Sequence, residues 1–193
     1  MDALIQLDQK VFLILNGLHS PVFDFLMYWF SDKYIWVPLY AFLLFLMFRE
    51  NRNHFWLVLL MVALLVTLTD QISVKLFKDV FMRLRPCHEP ALEGLVRTLY
   101  GQCGGQFGFV SSHATNTFGV AVFTGLTLAV RYKWLMPAML TWAGLVSYSR
   151  IYLGVHYPGD VIGGALTGAL TGYLVFLLFR KLRSRLRRQQ AAS

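Results

Sequence analysis

Residues 149–160 read "SRIYLGVHYPGD", from Ser149 to Asp160, and the stretches on either side are almost wholly apolar. An arginine, a histidine and an aspartate in such surroundings are costly to bury in lipid. Either they meet water and a ligand, or they neutralise one another as a structural knot. Working outward, Leu135–Tyr152 and Pro158–Phe179 each approach the roughly 20 apolar residues that a spanning helix needs. Phe55–Phe77 and Ala114–Tyr132 are two more stretches of that kind, and Tyr34–Phe48 is a shorter fifth with Tyr34 and Trp36 as interfacial anchors. The 193 residues are 56% hydrophobic and only 15% charged, whereas a soluble domain carries about 25% charge. The expected fold is therefore all-α: one domain over residues 1–193, an integral membrane bundle of five to six transmembrane helices.

The ends of the chain are different in kind. Leu4, Leu7, Val11, Ile14, Leu15 and Leu18 recur at helical spacing opposite Asp2, Gln6 and Lys10. That pattern predicts an amphipathic helix over Ala3–Leu18, lying on the membrane within an interfacial segment 1–20 and closed by Asn16-Gly17. Pro21–Phe30, with Asp24 inside it, is a partial helix and the sixth candidate span. The start lacks a basic run followed by an apolar one, so no cleaved signal peptide is expected. Six of the 18 Lys and Arg residues fall in Arg180–Arg188. Such a run can bind nucleic acid, but here it follows directly on an apolar span and reads as an anchor beside anionic lipid, a basic cytoplasmic tail over 180–193. With five spans, this tail shares one side with Arg49–His54 and Arg131–Lys133, and the excess of cations makes that side the cytoplasm. The opposite side receives Lys78–Ser111 and Ser149–His156. Cys87 and Cys103 lie in one polar segment there. They are either two free thiols or a disulfide, and a disulfide requires an oxidising compartment.

Three segments meet at that outer face: "KDVFMRLRP" (Lys78–Pro86), "SSH" (Ser111–His113) and Ser149–Asp160. Together they supply cations, hydroxyls, two histidines and a carboxylate. Lys78, Arg85 and Arg150 can surround a tetrahedral oxyanion, because guanidinium forks match phosphate oxygens in pairs and lysine adds a point charge. Ser111 and Ser112 stand just ahead of a helix start, where free N–H groups favour an anion. Two histidines, His113 and His156, permit division of labour between attack on phosphorus and protonation of the departing oxygen. Asp160, four residues after His156, lies one helical turn away and can hold the imidazole in one tautomer.

Lys78-x6-Arg85-Pro86, Ser111-Ser112-His113 and Ser149-Arg150-x5-His156-x3-Asp160 together resemble the three-part signature of the type 2 phosphatidic acid phosphatases. The first and third parts fit in full. The middle part departs, since Val110-Ser111-Ser112-His113 stands where the family usually has Pro-Ser-Gly-His. The resemblance implies that His156 is the nucleophile and forms a phosphohistidine, that Asp160 orients it, and that His113 is the general acid and then activates water. It implies that Lys78, Arg85, Arg150, Ser111 and Ser112 hold the phosphoryl group, with no metal and no cofactor. The implied substrate is a membrane lipid phosphate or diphosphate, met at the outer face of a bacterial cytoplasmic membrane, with no nucleic acid partner. Among small members of the family the preferred expectation is hydrolysis of undecaprenyl diphosphate. Phosphatidylglycerol phosphate and the 1-phosphate of lipid A are alternatives, as is transfer of the phosphoryl group to a second lipid. A non-catalytic lipid-binding protein with a relic site is the reading from a different class, and Ser112 in place of glycine is its support.

Residues outside the signature receive plainer readings. Asp70 sits within a span and is expected to pair with a polar group of another helix; Lys75, nearer the surface, is expected to snorkel. Gly101, Gly104, Gly105 and Gly108 make a loop beside the site, either a gate or a connector. Gly163, Gly164, Gly168 and Gly172 predict close helix packing.

Overall fold

The computed structural model describes residues 2–101 and 103–192. Its helices are α1 (Asp2–Gly17), α2 (Pro21–Ser31), α3 (Val37–Glu50), α4 (Phe55–Gln71), a short α5 (Asp79–Phe81), α6 (Ser112–Leu128), α7 (Leu135–Tyr152) and α8 (Pro158–Ala192). Among the described residues there is no strand, only an isolated antiparallel bridge between Leu84 and Phe107. The chain is an all-α membrane bundle, and its long helices α3, α4, α6, α7 and α8 occupy the five stretches expected to span. Two helical runs, Arg52–Phe81 and Pro158–Gln190, are long and apolar enough to cross a membrane alone. The pair α1–α2, bent by 116°, makes a third if its halves form one broken span.

Helix α6 is central, packed on α8, α7, α4 and α3. Its 17 residues rise about 26 Å at ~1.5 Å each, short of the roughly 30 Å hydrocarbon core. Protein rather than lipid surrounds it, so it tolerates Thr115, Asn116, Thr117 and Thr124. The apolar core joins Leu57, Met61 and Leu65 of α4 to Ala121 and Phe123 of α6, Met139 and Trp142 of α7, and Val175 and Phe179 of α8.

The glycines of α8 set the closest crossing. A Cβ on Gly168 would stand 2.1 Å from the Thr115 carbonyl oxygen, and one on Gly172 would stand 2.4 Å from that of Gly119. Backbone cannot yield as a flexible side chain can, so a methyl here must part the two helices. Gly168→Ala is expected to lower the melting midpoint in detergent by several degrees, the scale of about 1–3 kcal/mol for overpacking. Gly144→Ala, where nothing lies within 4 Å, serves as the control and should not destabilise.

The amphipathic helix α1 forms within a residue of the expected bounds and turns its apolar stripe away from the protein, as a helix lying on the membrane does. Leu4, Leu7, Ile14 and Leu18 point outward, whereas Phe12 and Asn16 are buried and Asp8 contacts α8. The face that meets the protein is the flank carrying Asp8, Phe12 and Asn16, whereas Gln6 and Lys10 stay exposed. At the other end, residues 180–192 continue α8 as helix; Ser193 lies outside the described residues. Asp70 is exposed and its carboxylate has no hydrogen bond or ion pair among the described residues, so the expected partner on another helix is not there. Lys75 is exposed, as snorkelling requires.

Candidate active site

The helix ends bring the three polar segments to one face. Helix α4 runs into a π-helical turn, Ile72–Lys78. The wider turn shifts the register of everything after it, and Ser73 and Lys78 then face α6. Lys78 Nζ donates to Ser112 Oγ at 2.7 Å, and the Ser73 and Ser112 hydroxyls are 2.8 Å apart. The residue that replaces the usual glycine thus links the lysine to the start of α6. Met82, in the left-handed region at φ 44°, ends α5 and turns the chain across the mouth of the bundle.

Arg85 is buried beneath this crossing. Its Nη1 donates to the Val155 carbonyl at 3.3 Å and lies 3.3 Å from His156 Nε2. His156 Nδ1 lies 3.4 Å from Asp160 Oδ2, and the Tyr157 N–H donates to that same oxygen at 3.0 Å. A guanidinium only donates, so the contact at Nε2 assigns the proton to Nδ1, facing the carboxylate. Nε2 then carries the lone pair that points towards the cationic cup. Helix α6 is tied to the same centre, because the Ser111 N–H donates to the Asp160 carbonyl at 3.0 Å. That donor, expected to be free for an anion, is therefore occupied. Ser111 Oγ, Arg85 Nε and Arg150 Nε are buried without a hydrogen-bond partner among the described residues.

Arg150 lies across the cup, with Nη1 on the Ser31 hydroxyl of α2. It lines a small polar cavity of about 200 Å³ with Tyr28, Ser31, Asp32 and Gly104. His113 sits in the first turn of α6, near enough to Arg150, His156, Lys78 and Arg85 for each to act on it electrostatically. The eight residues singled out in the sequence therefore surround one centre. Burial, and then the positive charges of Arg85, Arg150 and Lys78, hold His156 well below the ordinary histidine range. Its imidazole is thus neutral at physiological pH.

The glycine loop is tied down over this centre. The Arg85 N–H donates to the Gln106 carbonyl at 3.1 Å, and the Gly108 N–H to that of Arg83 at 2.8 Å. Cys87 and Cys103 form a disulfide, which selects between the two readings of the cysteines. A Cβ on Gly108 would come within 3.0 Å of Asp160 Oδ2, so glycine is what lets the loop reach the carboxylate. Gln102 lies outside the described residues. Cys87, His88 and Cys103 are the one group among the described residues whose ligand-type atoms cluster closely enough for a metal, but both sulfurs are committed to the disulfide.

Four residues at the site were not singled out from the sequence. Ser31 and Ser73 carry no pattern there. Arg83 stands inside the quoted stretch "KDVFMRLRP", two residues before Arg85, and Asp8 stands on α1 beside its apolar stripe. The available signals were a cation in a polar segment and a carboxylate flanked by apolar residues in α1.

Comparison with known proteins gives the family of the chain. The profile of the PAP2 superfamily matches residues 56–184. A lipid A 4'-phosphatase of Bacteroides thetaiotaomicron is 39% identical over 191 residues, covering 96% of this chain and 83% of that protein. An undecaprenyl-diphosphatase of Sulfolobus acidocaldarius is 31% identical over 137 residues, covering 71% of this chain and 60% of that protein. The crystal structure of a PAP2-type phosphatidylglycerolphosphate phosphatase from Bacillus subtilis superposes with a TM-score of 0.72 at 22% identity, covering 96% of this chain and 88% of that one. The chain belongs to the PAP2 superfamily, the type 2 phosphatidic acid phosphatases, and is a membrane lipid phosphatase of that type.

Proposed function

We propose that the protein hydrolyses a phosphate monoester of a membrane lipid at the outer face of the cytoplasmic membrane, with the 4'-phosphate of lipid A as its substrate. The observation that carries this choice is the 39% identity to a lipid A 4'-phosphatase along 96% of the chain. The match to the undecaprenyl-diphosphatase is shorter and weaker, so the diphosphate preferred from the sequence becomes the second reading. The polar cavity beside Arg150 supports a head group rich in hydroxyls, because Tyr28, Ser31 and Asp32 offer it donors and acceptors. An apolar cavity of about 370 Å³ between α3, α4 and α6 begins at Asn116, one turn beyond His113, and suits an acyl chain. The disulfide supports an oxidising compartment for this face.

In this reading the phosphoryl group enters between Lys78, Arg85 and Arg150. Arg85 leaves the His156 lone pair for a phosphoryl oxygen, and Ser111 Oγ and the free Nε atoms of both arginines gain an acceptor. Nε2 attacks phosphorus as the bond from phosphorus to the lipid oxygen breaks, and that oxygen takes a proton from His113. Water then gives its proton to His113 and attacks phosphorus; the P–N bond breaks, releasing phosphate and neutral His156. Fixed cations meet the charge that develops in both steps.

The test is phosphate release by the purified protein from lipid A, undecaprenyl diphosphate, phosphatidylglycerol phosphate and phosphatidic acid, with mass spectrometry of the lipid A product. Lipid A should give the highest kcat/KM, with loss of the 4'- and not the 1-phosphate. Turnover of undecaprenyl diphosphate ten times faster than of lipid A would overturn the choice in favour of the second reading. Appearance of the phosphate on a second lipid would mark a transferase.

A further inference from the structure

The carboxylate behind the nucleophile is not held by the signature residues alone. Asp160 is fully buried, and one of its oxygens, Oδ2, faces His156 and the Tyr157 N–H. The other, Oδ1, accepts from Arg83 Nη1 at 2.9 Å. Arg83 Nη2 in turn reaches Asp8 Oδ2 of α1 at 2.7 Å, and Asp8 Oδ1 accepts the Gly159 N–H at 2.8 Å in the first turn of α8. The Arg83 guanidinium also lies over the Tyr157 ring, 4.1 Å from its centroid, and Phe12 of α1 packs against the edge of that ring at 5.4 Å. A Cβ on Gly159 would stand 2.7 Å from Asp8 Oδ2, so glycine there is what allows the approach.

We infer that Asp8 and Arg83 form a positioning relay for the nucleophile: Asp8 of α1 fixes Arg83, Arg83 fixes the rotation of the Asp160 carboxylate, and Asp160 orients His156. The inference rests on the reading of His156 as nucleophile. Neither residue touches the phosphoryl cup, so their effect on the reaction runs through Asp160. The Arg83 guanidinium gives one nitrogen to each carboxylate, Nη1 to Asp160 and Nη2 to Asp8, and its place over the Tyr157 ring fixes the direction of both contacts. This gives α1 a part in catalysis. Partners one step removed from a catalytic group commonly change activity by about 10–100-fold.

Full-length wild type, Arg83→Gln, Arg83→Lys, Asp8→Asn, Asp8→Glu and the double variant Asp8→Asn/Arg83→Gln are compared in one detergent, on the wild type's best lipid substrate. Wild-type turnover in the same assay separates a failure of the relay from a failure of the phosphatase reading. Arg83→Gln is expected to lower kcat about 100-fold with KM within threefold and an unchanged melting midpoint. Asp8→Asn should lower kcat about tenfold, and Asp8→Glu should recover most of that loss. Arg83→Lys should recover little, since lysine offers one point of contact in place of the fork. The double variant should be no worse than Arg83→Gln, because both act along one line. A kcat for Arg83→Gln within twofold of wild type would overturn the relay, as would losses that multiply in the double variant. If Arg83→Gln does not fold, the Asp8 pair decides: equal kcat for wild type and Asp8→Asn would refute it.

Discussion

His156→Ala should abolish phosphate release from every lipid offered, a loss of about 10⁴–10⁶-fold on the scale of deleting a nucleophile, while the protein keeps its fold. The second half of that expectation follows from the contacts that remain. Asp160 keeps the Tyr157 N–H and Arg83, and Arg85 keeps the Val155 carbonyl. The melting midpoint should therefore fall by no more than a few degrees. Wild type quenched in acid-free conditions after mixing with ³²P-labelled lipid should carry label on the protein, and the variant none. Turnover of the variant above about one part in a hundred of wild type would remove His156 from the chemistry as its nucleophile.

The environment of His156 predicts the pH profile as well. An imidazole held below its usual range stays neutral, and so nucleophilic, at pH values where an ordinary histidine is mostly charged. From pH 7 to pH 5 a nucleophile of pKa about 6.5 would lose roughly 20-fold or more of its reactive form. Wild-type kcat/KM, corrected for ionisation of the lipid phosphate, should show no such loss, because burial and three cations disfavour the protonated ring. Observation of the ordinary acid limb would mean that the cup opens to water before His156 reacts.

How much of this was legible in the residues depends on the interaction concerned. Apolar length announces where helices lie, and the five long stretches are helices of the bundle because lipid leaves the backbone no other partner. The polar segments stood out for the same reason: Arg150, His156 and Asp160 are conspicuous against lipid-compatible neighbours. Hydrogen-bond register was not legible. The π-helical turn at Ile72–Lys78 has no composition of its own, yet it aims Lys78 and Ser73 at Ser112. Nor was the face of α1 that meets protein, since Asp8, Phe12 and Asn16 lie between its apolar stripe and the exposed Gln6 and Lys10, and the amphipathic pattern does not single them out. Arg83 was in view, but its role depends on Asp8, 75 residues away in sequence, and pairing over that distance leaves no periodic trace. The cysteines left two readings open because chain separation alone permits both.

His113→Ala should separate the two proton transfers. A sugar alkoxide, as released from the 4'-position of lipid A, is a poor leaving group and needs a proton in the transition state; phosphate leaving from a diphosphate needs one far less. The variant should lose about 10²–10⁴-fold in kcat/KM on the monoester and distinctly less on undecaprenyl diphosphate, so the ratio of the two substrates changes by tenfold or more. The second step predicts a further difference. Attack of water on the phosphohistidine also uses His113, so with the diphosphate the variant should form phosphoenzyme readily and release it slowly. Rapid mixing should then show close to one equivalent of ³²P held on the protein, followed by a slow steady state, whereas wild type holds a smaller and short-lived labelled fraction. The placement of His113 among Arg150, His156, Lys78 and Arg85 makes this a strict test, because the cations that bind phosphate remain in the variant and ground-state binding should change little. Equal losses on both substrates with no accumulated phosphoenzyme would show that His113 supports the cup without moving a proton, and the acid would then have to be sought among the water and substrate hydroxyls that enter beside Arg150.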